Sequence, residues 1–239
     1  MVKSRSTFTL GAGLLALMLV APACANVNKS ITIGDNTETD GESTVNGSIA
    51  IGSGSTVNGS LSTVNGTIRI DEDSRARDVE TVNGSIRIGN GAAVEDVDSV
   101  NGSIRLGERV SVDGEISVVN GKISLDRGTT VADNVSNVNG EFQISGATIG
   151  GNLSTVNGDV WLMDDSTLEG DLIVEKPGGR GWNSDKRVPK IVIGPGSRIV
   201  GMIELEREVE LFISDTAEVG GVTGEMSLDD AERFSGSRP

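Results

Sequence analysis

The sequence repeats one arrangement of apolar and polar positions around the tripeptide Val-Asn-Gly. Apolar residues, most of them β-branched, stand immediately before the asparagine and three and five residues after it, as Val82, Ile86 and Ile88 do around Asn83. Because these columns share one parity, the pattern predicts β-strands with one buried face and excludes helix. The columns are Val45, Val64, Val82, Val100, Val119, Val138 and Val156; Ile49, Ile68, Ile86, Ile104, Ile123, Phe142 and Val160; and Ile51, Ile70, Ile88, Leu106, Leu125, Ile144 and Leu162.

The tripeptide recurs at a fixed period. It occurs eight times, and without Asn58 the steps between asparagines are 19, 18, 18, 19, 19 and 18 residues. A constant period of this size indicates one structural unit stacked on copies of itself. Asn-Gly tolerates positive φ and predicts a corner that enters each strand. Asn58 is out of phase and is expected at another corner of its own turn.

The period favours a coil of three short strands and three corners. We therefore predict an all-β, single-domain parallel β-helix (β-solenoid) of about ten turns, from about residue 30 to about residue 225. A β-sandwich built from duplicated hairpins is the alternative. In the β-helix the asparagines are expected to stack as a ladder in which each side-chain amide bonds to the next. The ladder residues are Asn46, Asn65, Asn83, Asn101, Asn120, Asn139 and Asn157.

Composition shifts divide the chain into segments. Residues 26–42 form a polar lead-in expected to make an irregular first turn, and residues 43–174 carry the repeat. Residues 175–190, with two prolines and three glycines, predict an inserted loop. Looser β-turns follow over 191–225. Residues 226–239 are expected to form a cap and tail, with a short capping helix from Ser227 to Phe234 that has Ser227 as N-cap and Asp229 and Asp230 in its first turn.

Residues 1–25 have the pattern of an export signal. Lys3 and Arg5 precede an apolar stretch from Phe8 to Val20, and small residues follow. Cys24, the single cysteine of the chain, lies where cleavage is expected. Two interpretations stay open for it: the lipid-modified first residue of a bacterial lipoprotein, or an incidental residue of the signal. Either way the folded part holds no thiol for a disulfide, a metal site or a nucleophile.

Charge and composition remove several function classes. Without Lys3 and Arg5 the chain has 18 basic and 35 acidic residues, a net charge near −17 that repels nucleic acid and anionic membrane. Histidine and tyrosine are absent, which excludes Ser-His-Asp and imidazole–metal sites. The acidic cluster Asp164, Asp165 and Glu169 is interpreted as chance in so acidic a chain. No catalytic residue, cofactor or metal site is predicted.

Two surface features are candidates for ligand contact. The first is a column of arginines four residues after the ladder asparagines, continued by Lys122 at a neighbouring position; it suits a linear polyanion such as an acidic glycan. The alternative is a solvated face neutralised by acids such as Asp71 and Glu108. The second is the basic loop at 175–190, which displays a tryptophan or packs it back on the rod. The candidate residues are Arg69, Arg87, Arg105, Arg180, Trp182, Lys186 and Arg187.

The string Thr-Val-Asn-Gly-Ser-Ile-Arg-Ile, from Thr81 to Ile88, resembles the exported adhesin-like proteins of bacteria called toastrack proteins, a family of stacked β-repeats. Apolar pairs around glycine at this period also look like the polymer-forming bactofilins, although an export signal argues against their cytoplasmic role. The resemblance covers roughly residues 43–163 and implies architecture only, so no functional residues carry over.

The sequence thus predicts a non-enzymatic, exported cell-envelope β-solenoid that acts as a structural scaffold, an adhesin or a self-associating element. Its expected location is the bacterial periplasm, the outer membrane or the cell surface. Its expected partners are a second copy of the chain or an envelope glycan, not nucleic acid, and membrane contact is expected only through a lipid on Cys24. The alternative is an acidic-glycan-binding module or a carbohydrate-active β-helix enzyme that uses the side of the rod.

Overall fold

The structure, a computed structural model, describes residues 27–178 and 187–239. It is a parallel β-helix of about ten turns, as the period predicts, and nearly every turn contributes one strand to each of three sheets. Every pairing between strands is parallel and joins residues one turn apart, for example Asn83 with Asn101 and Asn101 with Asn120. The predicted fold class is confirmed.

Sheet 1 comprises the strands that lead up to each ladder asparagine, and sheet 2 those that follow it. The strands of sheet 1 are Glu42–Thr44, Leu61–Asn65, Val79–Asn83, Val97–Asn101, Ile116–Asn120, Val135–Asn139, Leu153–Thr155, Leu172–Val174, Ile203–Leu205 and Val222–Gly224. Those of sheet 2 are Ile31–Ile33, Ile49–Ile51, Ile68–Ile70, Ile86–Ile88, Ile104–Leu106, Ile123–Leu125, Glu141–Ser145, Asp159–Met163, Lys190–Ile193, Glu210–Ser214 and Glu232–Phe234.

Sheet 3 consists of two-residue strands between the other two sheets. Single bridges from Arg75 to Thr56 and to Ala93 join its first two strands to the remainder. Its strands are Glu38–Thr39, Thr56–Val57, Ala93–Val94, Ser111–Val112, Thr130–Val131, Thr148–Ile149, Thr167–Leu168, Arg198–Ile199 and Glu218–Val219. Most of these short strands turn one apolar residue inward, as Val94 and Val112 do.

The core is one column of aliphatic side chains enclosed by the three sheets. Sheet 2 supplies two residues per turn, such as Ile104 and Leu106, which are both fully buried. Phe142 takes the place of an isoleucine between Ile123 and Val160 and is fully buried as well. A single turn cannot bury these side chains by itself, because each of them packs against the equivalent residues of the turns before and after it.

The valine column does not belong to this core, and its predicted burial is wrong. Val82 and its equivalents are half-buried on the outside of sheet 1, whereas the residue two before each asparagine is buried. The corner at Asn-Gly reorients the chain, so the inward parity shifts by one between sheet 1 and sheet 2. The buried position is held by Thr44, Thr63, Thr81, Ser99, Val118, Asn137 and Thr155.

Most of these buried polar side chains bond to the corner of the preceding turn. Thr63 Oγ1 donates to the Gly47 carbonyl at 2.9 Å, and Thr81 Oγ1 to that of Gly66 at 3.3 Å. Asn137 Nδ2 likewise donates to the Gly121 carbonyl at 2.6 Å, but its buried Oδ1 has no partner in the described part of the chain. A threonine satisfies this position and an asparagine leaves one acceptor unpaired.

Replacement of Asn137 by threonine is therefore expected to stabilise the protein by about 1–2 kcal/mol, because it removes an unpaired buried acceptor and keeps the donor. Urea unfolding measures the change. The reciprocal variant Thr81→Asn is expected to destabilise by a similar amount. An unchanged or lower stability of Asn137→Thr would contradict this explanation.

The corner glycines are required for close packing rather than for positive φ. A Cβ atom added at Gly84 or Gly102 would overlap the carbonyl oxygen of the glycine one turn earlier, Gly66 or Gly84. Among the repeat glycines only Gly140 has a positive φ, of 153°, and no ladder asparagine has one. The predicted reason for Asn-Gly at the corner is thus wrong, because stacked corners approach too closely for any side chain at the glycine.

Both ends differ from the predicted boundaries. The lead-in already forms a regular turn, since Ile31–Ile33 pairs with Ile49–Ile51. At the other end the predicted capping helix is only a 3₁₀ turn, Leu228–Asp230, in which Asp230 Oδ2 accepts from the Ser227 N–H at 2.8 Å. Glu232–Phe234 instead extends sheet 2, because the open sheet edge offers these residues backbone partners. The predicted export signal at 1–25, including Cys24, lies outside the described residues.

Candidate interaction surfaces

The ladder asparagines bond in one continuous series along the corner between sheets 1 and 2. Each Nδ2 donates to the Oδ1 of the previous turn at 2.8–3.0 Å, from Asn157 back to Asn46. The series extends to Asn28, which accepts from Asn46 at 2.8 Å and precedes the first complete tripeptide. Its side chains are largely exposed, so the ladder is an outer seam of the rod.

Arg207 closes the far end of this ladder. Its Nη1 donates to Asn157 Oδ1 at 2.9 Å and to the Val156 carbonyl at 3.1 Å, and its Nη2 donates to the Arg187 carbonyl at 2.8 Å. The guanidinium thus satisfies the last acceptor of the series. The sequence pattern gave no sign of this role, since Arg207 is fifty residues from Asn157 and lies in turns without the tripeptide.

The arginine column, Arg69, Arg87 and Arg105, lies on the outside of sheet 2 with its members in direct register. Arg69 Nε contacts Asp71 at 2.6 Å, and Arg105 Nη2 contacts Asp126 at 3.3 Å. Arg87 has no ion pair in the described residues. The structure therefore combines both interpretations: acids neutralise the outer two arginines, and the central one is available.

Other charges near the column are paired locally. Lys122 Nζ lies 3.6 Å from Glu141, and Glu108 pairs with Arg109 at 3.1 Å rather than with the arginine column. The column is therefore a narrow basic stripe that consists of three arginines on successive turns.

The same outward row of sheet 2 continues to an apolar patch. Beyond Ser124 and Gln143 it reaches Trp161, Val192 and Phe212. Val192 is fully buried although it points outward, because Trp161, Phe212, Met163 and Phe234 pack around it. Sequence reasoning missed Trp161, whose only signal was its position in line with the arginines.

Two cations cover this aromatic patch. Lys190 Nζ lies 4.4 Å from the ring centroid of Phe212 and 5.3 Å from that of Trp161. Arg238 Cζ lies 5.6 Å from the Trp161 centroid on the C-terminal tail. These distances are typical of cation–π contacts. The tail thus packs back on the outside of sheet 2.

Most of the candidate ligand-contact residues in the loop lie outside the residues that the structure describes. Arg180, Trp182 and Lys186 fall within residues 179–186, outside the described residues. Arg187 forms an ion pair with Asp159, whose Oδ1 also accepts from the Lys190 N–H at 3.0 Å. Arg187 therefore attaches the end of the loop to the rod.

In the acidic cluster that the sequence analysis interpreted as chance, two aspartates stabilise a turn. Asp164 and Asp165 have φ of 55° and 63°, the left-handed conformation that aspartate tolerates at tight turns. Asp164 Oδ2 accepts from Ser145 Oγ at 2.5 Å. These contacts explain both residues as parts of a corner.

The outside of sheet 1 carries an acidic face that the sequence did not single out. Asp98 and Glu80 are adjacent and in register, and Asp78, Asp96 and Glu115 flank them. Asp98 is half-buried and has no hydrogen bond or ion pair in the described residues. Burial, followed by repulsion from Glu115, Glu80, Asp96 and Asp78, raises the pKa of Asp98 to about 7. Burial also raises the pKa values of Glu80 and Glu115.

This raised pKa makes stability depend on pH. Because folding raises the Asp98 pKa above the unfolded value of about 3.9, the native protein binds more protons than the unfolded chain between pH ~4 and pH ~7. The free energy of unfolding therefore falls as the pH rises through this window. Asp98→Asn is expected to stabilise the protein by about 1–2 kcal/mol at pH 8, after solvent screening, and to have little effect at pH 4.

Urea unfolding at both pH values measures this effect. Ser117, one turn further along the same row, offers a reciprocal variant. Ser117→Asp is expected to lower the free energy of unfolding at pH 8, because it adds a carboxylate beside Asp98. Equal gains for Asp98→Asn at pH 4 and pH 8 would show that ionisation is not the cause.

No protein-family model, curated protein or solved structure matches this chain. In residues 27–178 and 187–239, no group of three or more acidic, histidine or cysteine side chains is arranged to hold a metal ion. No helix in that part of the chain is long and apolar enough to cross a membrane. Function is therefore inferred from the outer faces of the rod.

Proposed function

We propose that this protein is a non-enzymatic, exported component of the bacterial cell envelope, in which the β-solenoid is a rigid scaffold that associates side by side with copies of itself. The export signal pattern at residues 1–25 supports the location. The toastrack resemblance, which stays a prediction, is in keeping with an envelope role. The observation that carries the proposal is a pair of outer faces with opposite charge and the same spacing.

The two faces are matched in position along the rod. The arginine column places cations on three successive turns of sheet 2, and the acidic face places Glu80 and Asp98 on successive turns of sheet 1. Strands of both sheets repeat every ~4.8 Å. A parallel neighbouring rod can therefore present one basic side chain to each carboxylate without distortion.

The charges also favour this contact energetically. Arg87 has no ion pair and Asp98 no partner in the described residues, and repulsion among its neighbours makes the acidic face unfavourable when ionised. The two faces lie on different sheets of one rod, and no ion pair joins them in the part of the chain that the structure describes. A guanidinium from a second copy would compensate the carboxylates with bidentate hydrogen bonds.

This contact joins two different surfaces, so it is heterologous. Such interfaces form closed rings or open arrays rather than stopping at a dimer. A scaffold with this geometry grows laterally, with all rods parallel. We therefore expect particles wider than one rod instead of long single filaments.

Light scattering and negative-stain imaging of the protein expressed from Asn26 test the proposal. Oligomers are expected at low salt and monomers at high salt, because ions screen exposed charges. Arg87→Glu is expected to prevent assembly, and the double variant Arg87→Glu with Asp98→Arg to restore it. Arg109→Glu, which lies off the column, serves as the control. A monomer at every salt and protein concentration would contradict the proposal.

A second candidate, binding of an acidic glycan, is favoured by the alignment of the arginine column with Trp161. The row from Arg69 to Trp161 spans five strand spacings, roughly 24 Å, which suits a linear chain of several sugars. Retention on an acidic-glycan column is then expected to fall in Arg87→Ala and in Trp161→Ala. Retention that is unaltered in both variants would remove this candidate.

A further inference from the structure

The eight Val-Asn-Gly tripeptides are eight copies of a chemically labile bond. In an Asn-Gly dipeptide the glycine nitrogen can attack the asparagine side-chain carbonyl and expel ammonia, which makes asparagine a thermolabile residue. Ring closure requires that nitrogen to reach the Cγ atom in a near-attack geometry. The surrounding structure therefore decides which copies react.

Seven copies are restrained by the asparagine ladder. Each side-chain amide donates to one neighbour and accepts from another, as Asn101 does between Asn83 and Asn120. In the middle of the ladder the attacking nitrogen is also engaged: the N–H groups of Gly84 and Gly102 donate to the carbonyls of Asn101 and Asn120 at 3.1 and 3.0 Å. Rotation of the amide toward the glycine would break these bonds.

Asn58 is the exception. It follows the sheet 3 strand Thr56–Val57 rather than a strand of sheet 1, so it lies at a different corner from the ladder. Its exposed side chain makes one hydrogen bond, from Nδ2 to Glu38 Oε1 at 2.8 Å, and its Oδ1 accepts none within the described residues. The Gly59 N–H likewise has no acceptor in this part of the structure.

We propose that Asn58 is a site of spontaneous deamidation, singled out from seven sequence-equivalent sites by its exclusion from the ladder. The Gly59 nitrogen loses its proton and bonds to Asn58 Cγ, and the Cγ–Nδ2 bond breaks to release ammonia. Water then opens the resulting succinimide at either carbonyl and gives aspartate or isoaspartate. No oxidant or reductant is consumed.

The product changes the local charge. The Nδ2 donor to Glu38 is lost, and a second carboxylate appears beside the first, so like charges face each other at this corner. In the ladder the same reaction would remove a donor from a continuous series. The ladder therefore protects the bonds on which it depends, and this inference stands independently of the proposed function.

Peptide mass spectrometry after incubation of the purified protein at pH 8 and 37 °C tests the proposal. Four copies share the tetrapeptide Val-Asn-Gly-Ser, at Asn46, Asn58, Asn83 and Asn101, so local sequence is held constant. In the native protein Asn58 is expected to convert at least about tenfold faster than Asn83 and Asn101. In urea, where the ladder is absent, the four rates are expected to agree within about threefold.

A variant separates this site from all others. Asn58→Gln is expected to abolish the acidic isoform that accumulates in the native protein, as seen by isoelectric focusing. Equal rates for Asn58, Asn83 and Asn101 in the native protein would overturn the proposal. In urea, a reaction of Asn58 that is much faster than the reactions of Asn83 and Asn101 would overturn the proposal as well, because the sequence rather than the ladder would then set the rate.

Discussion

Replacement of Gly102 by alanine is expected to destabilise the protein by about 3 kcal/mol or more. The added Cβ atom would overlap the Gly84 carbonyl oxygen, which belongs to the backbone of the preceding turn and cannot rotate away. The turns of Gly84 and Gly102 would have to separate, and the N–H···O bond from Gly84 to Asn101 and the ladder bond from Asn101 to Asn83 would lengthen.

Urea unfolding followed by circular dichroism measures this effect, and Gly34→Ala is the matched control. A Cβ atom at Gly34 meets only the Thr37 hydroxyl, at 3.9 Å, so its loss of stability is expected to stay below about 0.5 kcal/mol. If Gly102→Ala costs no more than this control, close stacking is not the reason for glycine at the corner.

Truncation of Phe142 to alanine is expected to cost about 3–5 kcal/mol, because it leaves a cavity in the fully buried column between Ile123 and Val160. Phe142→Ile, which restores the residue that most other turns carry at this level, is expected to cost less than about 1.5 kcal/mol. Urea unfolding gives both values. Equal costs for alanine and isoleucine would show that the column does not respond to side-chain volume.

Hydrogen exchange adds a spatial test of the Phe142 prediction. In a stacked array each turn contacts only its neighbours, so the loss of protection is expected in Ile123–Leu125 and Asp159–Met163 and not in Ile49–Ile51. Uniform loss along the rod would instead indicate a single cooperative unit.

Only some features of the outer faces could be predicted from the sequence. The register of Arg69, Arg87 and Arg105 followed directly from the period, since residues one period apart stack in a β-helix. Asp71, two residues after Arg69, was named from the sequence as a neutralising acid and does pair with it. Asp126, which pairs with Arg105 from the following turn, was not named, because its proximity depends on how the turns stack. Trp161 was overlooked in favour of Trp182 because a tryptophan inside a strand appears structural until its row is known.

The raised pKa of Asp98 could not be predicted from the sequence either. In a chain with 35 acidic residues nothing in the sequence distinguishes this carboxylate from others. Its raised pKa arises from burial on the outside of sheet 1 and from four carboxylates that the fold gathers around it, three of them on neighbouring turns. Long-range proximity of this kind exists only after the turns have stacked.

By itself the sequence determined the period, the parallel β-helix, the isoleucine columns of sheet 2 and the alignment of the asparagines, because each depends only on residues one turn apart in the chain. The tertiary structure alone decided which parity faces inward before each corner, why Gly84 and Gly102 must lack a side chain, and that Arg207 closes the ladder. These depend on how the corner turns the backbone and on contacts between distant segments, which periodicity does not encode.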